Sequence, residues 1–206
     1  MLDEDGLLEG VRVLTGRDPD LAGIVARHGP PPLWARAPGF ATLVQVILEQ
    51  QVSLKSAEAA VRRLLDVAGA VTPEAILATG EERLRAAGLT RQKSRYLTLL
   101  AGDVVAGRLD LAALEDPTCD ETDIRAALTG IVGVGGWTAD IYLLMALGRP
   151  DIWPLGDVAL AAALRRAKDL PATPRSEEQL VIAQPWRPWR AVAARVLWHA
   201  YLAGER

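Results

Sequence analysis

Cysteine and histidine are nearly absent from this chain, and that removes whole classes of chemistry at the outset. One cysteine in 206 residues, Cys119, allows no internal disulfide and no four-cysteine metal or iron–sulfur site. Two histidines, His28 and His199, leave little for a zinc centre or a histidine-based triad. Long apolar runs are missing as well: "IYLLMAL" is far short of the ~20 residues that cross a bilayer. The amino terminus opens on the acidic "MLDEDG", which does not read as a signal peptide, so a cytoplasmic protein with no membrane partner is expected. Nor is there an excess of positive charge, since the formal net charge is −3. That argues against a protein coated in basic residues, but a local face can still meet nucleic acid.

What is present is helix. With 50% hydrophobic and 24% charged residues, the composition suits one large domain or two small lobes around a cleft. "FATLVQVILEQ" and "SLKSAEAAVRRLLDVAG" space their apolar residues by three and four, and Ser53 stands as an N-cap. Pro73 and Gly80 punctuate shorter helices, and Thr90 caps a longer one that Gly107 ends. Helices are expected over 123–129 and 137–147, from Val158, from Ser176 and over 189–202. No run rich in β-formers competes with them, and no solenoid repeat appears. The expectation is an all-α fold with two helical lobes: residues 39–139, including a hairpin at 130–137, and residues 1–38 with 140–206.

Between two of those helices lies "GIVGVGGWTAD", Gly130 to Asp140. A phosphate-loop nucleotide site would follow the turn with Gly-Lys-Ser/Thr, whereas here Gly136-Trp137-Thr138 follows. Helix, Gly133-Val134-Gly135, helix is the outline of a helix-hairpin-helix. Glycines at 133 and 135 can adopt positive φ and admit a close backbone approach. The N–H groups of Gly133, Gly135 and Trp137 then face a nucleic-acid phosphate with the positive end of the helix dipole behind them. Such a contact positions the protein without reading a base. A plain tight turn between packed helices fits the same residues.

A second fragment, "DIWPLGDVALAAALRRA", sets Asp157 directly before a helix, where aspartate commonly serves as N-cap. Asp151 sits in the turn before Trp153-Pro154 and reads as a surface residue. Arg190 suits either a buried carboxylate partner or DNA. Arg91, Lys93 and Arg95 in "RQKSR" read as a solvated face with a possible phosphate contact.

"LTGIVGVGGWTA" closely resembles the hairpin of the helix-hairpin-helix (HhH-GPD) DNA glycosylase superfamily. Lyase-active members of that family carry a catalytic lysine where Trp137 stands. Tryptophan there resembles the DNA-3-methyladenine glycosylase II branch, here without its amino-terminal β-domain. "ILEQQVSLKSAEAAVRRL", "AAGLTRQKSRYLTLLA" and "PWRPWRAVAARVLW" resemble further segments of that family, in order, from about Phe40 onward.

The resemblance implies a monofunctional glycosylase that releases alkylated purines (3-methyladenine, 7-methylguanine) from double-stranded DNA in base-excision repair, acting as a monomer. It makes Asp157 the catalytic carboxylate, a role compatible with the N-cap. It implies DNA contacts from Gln50, Gln51, Val52 and Ser53, with glutamine at the wedge position 51 where some relatives are apolar. Gly133, Gly135, Gly136 and Thr138 are further implied contacts. Trp137 and Trp198 become base-pocket residues, and Ile141 and Val158 occupy positions where relatives place aromatic rings. Trp153, Trp186 and Trp189 are left to packing. The resemblance implies no organic or redox cofactor, but a sodium or potassium ion on the carbonyls of Thr129, Ile131 and Val134. Two rival readings are a non-catalytic DNA-binding hairpin module, which has no need of Asp157, and a glycosylase/lyase, which wants lysine at 137.

Overall fold

The structure, a computed structural model, describes residues 1–116 and 118–204. Among these it contains eleven α-helices and no strand. Helices α1 (Glu4–Arg17) and α2 (Pro19–His28) start on aspartate caps: Asp3 accepts the Gly6 N–H, and Asp18 accepts those of Asp20 and Leu21. The chain continues through α3 (Phe40–Glu49), α4 (Leu54–Ala68), α5 (Pro73–Ala86) and α6 (Arg91–Val105). Ser53, Thr72 and Thr90 cap the last three, each accepting an N–H three residues on. Gly80, at φ 75°, interrupts α5, so the two short helices expected there meet end to end at a kink. Then come α7 (Glu121–Thr129), α8 (Gly136–Met145), α9 (Val158–Ala167), α10 (Ser176–Ala183) and α11 (Arg190–Leu202). No helix among the described residues is long and apolar enough to cross a membrane.

The chain divides into two compact units. The first comprises Met1–Ala35 and Leu143–Arg206 and is built around α11, which packs on α9, α2 and α1. Its residues Ala191 to Trp198 are all buried, the mark of a helix enclosed on every side. The short side chains of this helix let neighbours come near: a Cβ on Gly10 of α1 would fall 2.9 Å from Val192. Arg195 lies inside this unit without a carboxylate, its guanidinium donating to the carbonyls of Leu33, Ala191 and Leu144. Burial pulls its pKa down to about 10.

The second unit, Arg36–Tyr142, packs α3 against α4 and α6, and α5 against α4 and α6. Leu43, Val44, Val46, Ile47 and Leu48 bury most of α3. The Tyr142 hydroxyl accepts the Gly39 N–H at 2.7 Å, ahead of α3. Arg36 and Glu49 form a two-pronged pair at 2.9 and 3.0 Å, and Arg125 pairs with Asp140 of α8.

Within the first unit Asp18 does more than cap α2. Its second oxygen accepts the Lys168 ammonium and the Trp186 indole N–H, each at 2.7 Å. Burial pushes the Asp18 carboxyl up, but the hydrogen bonds from Lys168 and Trp186 outweigh it and hold the group below its ordinary value. A depressed carboxylate stabilises the fold above its unfolded pKa, and that contribution disappears as pH falls through the folded pKa. Asp18→Asn should therefore destabilise the protein at neutral pH by about 1–3 kcal/mol. This is less than the ~3–5 kcal/mol for a fully buried pair, because Lys168 keeps Asp20. Urea unfolding of both proteins should show the difference constant above about pH 4 and narrowing below it.

Candidate active site and nucleic-acid interface

The glycine turn lies in the second unit, between the end of α7 at Thr129 and the start of α8 at Gly136. Ile131 and Val134 point inward and anchor it, and the Val134 N–H closes onto the Ile131 carbonyl at 3.0 Å. Its glycines serve different masters. Gly133 has φ 94°, and a Cβ there would fall 2.3 Å from the Tyr96 ring, so the fold itself requires glycine. Gly135 is not among the positive-φ residues, which corrects the expectation for that position. A Cβ on Gly135 or Gly136 would meet nothing within 4 Å, and both residues are exposed. No contact among the described residues explains glycine at those two places. A close approach from outside would.

Of the residues expected to face DNA, Gln51, Val52 and Ser53 are exposed. Gln50 and Thr138 are not presented that way. The Gln50 side-chain amide donates to the Gly133 carbonyl at 2.8 Å and to the Thr138 hydroxyl at 2.9 Å, and Thr138 is 2% exposed. Gln51 adopts φ 56°, a left-handed conformation uncommon outside glycine. Ser53 caps α4 by accepting the Ser56 N–H. Lys93 departs from the solvated face expected of it: its ammonium donates to the carbonyls of Leu48 and Gln50 at 2.8 and 2.9 Å. Arg91 and Arg95 are exposed as expected.

Trp137 and Ile141 are one turn apart on α8, hence on one face; Trp137 is half-buried and Ile141 buried. In the first unit, Asp157 caps α9, one of its oxygens accepting the Leu160 N–H at 2.7 Å. The same oxygen accepts the Trp198 indole N–H at 3.2 Å. Val158, the next residue, is 82% exposed. Trp198, expected to stack on a base, is 8% exposed and commits its indole N–H to this carboxylate. Asp151 is not a surface residue: Arg190 grips both its oxygens at 2.8 and 2.9 Å, and Arg187 adds a contact at 3.1 Å. This resolves Arg190 as a carboxylate partner. Trp153 and Trp186 pack on each other with centroids 5.5 Å apart, and Trp189 lies against Gly10.

No group of three or more His, Cys, Asp or Glu among the described residues could hold a metal ion. The carbonyls of Thr129, Ile131 and Val134, the expected cation ligands, would be neutral hard oxygens from one short segment. Of these, the Ile131 oxygen already accepts the Val134 amide.

Comparison with known proteins places this geometry. The family described as "HhH-GPD superfamily base excision DNA repair protein" matches residues 44–188. The chain belongs to that superfamily. It is 31% identical over 96% of its length to a Mycobacterium tuberculosis protein named "Probable bifunctional transcriptional activator/DNA repair enzyme AlkA", and it spans 40% of that relative's length. A DNA-3-methyladenine glycosidase structure from Bacillus halodurans matches with a TM-score of 0.75 and 30% identity, over 93% of this chain and 88% of that one. The 3-methyladenine DNA glycosylase Mag1 of Schizosaccharomyces pombe, solved in complex with abasic DNA, matches with a TM-score of 0.85 and 25% identity, over 96% and 98%. The HhH-GPD match runs from Val44 of α3 through Pro188 and so takes in Gln50, the hairpin and Asp157.

Sequence reading missed two residues of this superfamily member's hairpin region: Tyr96, which dictates Gly133, and Lys93, which holds the loop. Both lie in "LTRQKSRY", but nothing in that segment shows that Lys93 meets the end of α3 or that Tyr96 meets Gly133 until α6 is placed. Gly133→Ala should cost about 1–3 kcal/mol in urea unfolding, since it strains φ and displaces Tyr96. Gly135→Ala should stay within about 0.5 kcal/mol of the unaltered protein.

Proposed function

We propose that this chain is a monofunctional DNA glycosylase that hydrolyses the N-glycosidic bond of alkylated purines in double-stranded DNA. One observation carries the reading: in a member of the base-excision superfamily, a carboxylate is held at a helix start by the Leu160 N–H and the Trp198 indole, while Asp151 is occupied by arginines. The Mag1 complex with abasic DNA supports duplex DNA as the partner.

The chemistry follows from charge. As the bond to C1′ breaks, its electron pair passes to the base, and positive charge grows on the deoxyribose. Asp157 stabilises that charge, and the two N–H donors fix its oxygen so that little reorganisation is needed. Water then adds to C1′ and gives up a proton, for which Asp157 is the acceptor. A cationic alkylated purine departs neutral without needing a proton itself. The target must leave the helical stack first. Gln51 enters the gap, and the exposed Gly135–Gly136 backbone at the start of α8 takes the phosphate. Trp137 attracts the cationic base by roughly 0.5–2 kcal/mol. A sodium or potassium ion on the Thr129, Ile131 and Val134 carbonyls would steady the turn. The protein acts as a monomer and needs no organic or redox cofactor.

Asp157→Asn should lower single-turnover base release from methylated DNA by about 100-fold or more while leaving duplex affinity nearly unchanged. Release by the variant within about tenfold of the unaltered protein would refute the assignment. Borohydride present during turnover should trap no protein–DNA adduct, because Trp137 has no amine to form a Schiff base; a trapped adduct would mean a lyase. Among lesions, 3-methyladenine should leave fastest, 7-methylguanine more slowly and neutral hypoxanthine poorly. Hypoxanthine leaving as fast as 3-methyladenine on matched duplexes would show that positive charge is not what the protein selects.

A further inference from the structure

The loop proposed to enter DNA is not a free loop. On one side, α3 ends at Glu49 and leaves carbonyls that no residue of that helix can satisfy. Lys93, reaching across from α6, supplies donors to two carbonyls at that end, Leu48 and Gln50. On the other side, the Gln50 side chain spans to the hairpin, binding the carbonyl of Gly133 and the hydroxyl of Thr138. The four bonds measure 2.8 to 2.9 Å and form one chain: α6, the end of α3, residue 50, the hairpin. All of these residues belong to the unit Arg36–Tyr142.

Two further observations say what the chain of bonds is for. Gln51 follows at φ 56°, with its side chain exposed. A non-glycine residue in that conformation is strained, so it persists only where its neighbours are held. In addition, Lys93 keeps its ammonium beside neutral carbonyls although burial pulls its pKa below the usual lysine range. A lysine whose task was to meet phosphate would stay in water. Its charge complements the negative end of α3 instead.

We propose that Lys93 and Gln50 are positioning residues that lock the 50–53 loop to the hairpin, so that Gln51 enters the duplex in a fixed register with the phosphate held at Gly135. This rests on the glycosylase reading given above. Hairpin grip and loop entry then form one rigid act: binding energy gathered at the backbone drives Gln51 into the stack, with little lost to loop motion. Without the bond chain the protein would still bind DNA and still carry Asp157. It would extrude the base poorly.

The test separates extrusion from everything else. Lys93→Met and, independently, Gln50→Leu are compared with the unaltered protein on two duplexes. One carries 7-methylguanine opposite cytosine; in the other the same lesion faces a tetrahydrofuran abasic spacer, so little pairing opposes extrusion. A 2-aminopurine beside the lesion reports unstacking in stopped flow. Both variants should slow single-turnover release from the paired lesion by about tenfold or more, yet stay within about threefold on the spacer duplex. Duplex affinity should hold within about threefold, and the 2-aminopurine signal should slow in step with release. Lys93→Arg, which keeps a cation beside the two carbonyls, should recover most of the rate. Equal losses on both duplexes, or no loss on either, would overturn the proposal. Gln50→Leu keeps the question answerable if Lys93→Met fails to fold. If the unaltered protein released no base from either duplex, the glycosylase reading would fall, while the 2-aminopurine signal would still report whether Lys93 and Gln50 govern loop entry.

Discussion

The first turn of every α-helix carries peptide N–H groups that its own carbonyls cannot reach, and much of this molecule is organised by how those ends are filled. Asp3, Asp18, Ser53, Thr72, Thr90, Asp120 and Asp157 fill seven of them with side-chain oxygens. Helix α3 follows a glycine, but there the Tyr142 hydroxyl accepts the Gly39 amide. Helix α8 follows Gly135 and opens on Gly136, neither of which has a side chain to offer. The proposed chemistry uses two such ends in opposite senses. At α9 the anion is built in, and Asp157 is oriented by the amide it caps. At α8 the place of the anion falls to a visiting phosphate.

Buried charge follows a consistent rule in both units. Arg195 and Lys93 each turn a cationic group onto backbone carbonyls, and Asp18 gathers a helix cap, an ammonium and an indole onto one carboxylate. These groups hold segments rather than ligands. Asp151 belongs with them through Arg190 and Arg187, which sets it apart from Asp157, the carboxylate proposed for the chemistry, only six residues away.

Local signals were legible in the sequence, and long-range ones were not. Ser53, Thr90 and Asp157 read as caps because capping involves only the next three residues. The all-α class and the hairpin followed from periodicity and from a glycine pattern with family likeness. The helices from Glu4 and from Pro19 went unassigned, although Asp3 and Asp18-Pro19 mark their starts. Lys93 read as solvent-facing because its partners lie 45 and 43 residues away. Gln50 read as DNA-facing for the same reason, its partners being 83 and 88 residues distant. Gly133 and Gly135 look alike in sequence and differ in cause: one is dictated by Tyr96, the other by no contact among the described residues.

That open space at Gly135 and Gly136 bears on how the protein would behave in salt. Lysine and arginine contacts to DNA displace condensed counterions, and their strength falls steeply as ionic strength rises. A phosphate seated against neutral peptide dipoles displaces few. With no lysine or arginine between Thr129 and Gly148, the hairpin's share of the proposed DNA contact would change less with salt than any share carried by the exposed Arg91 and Arg95.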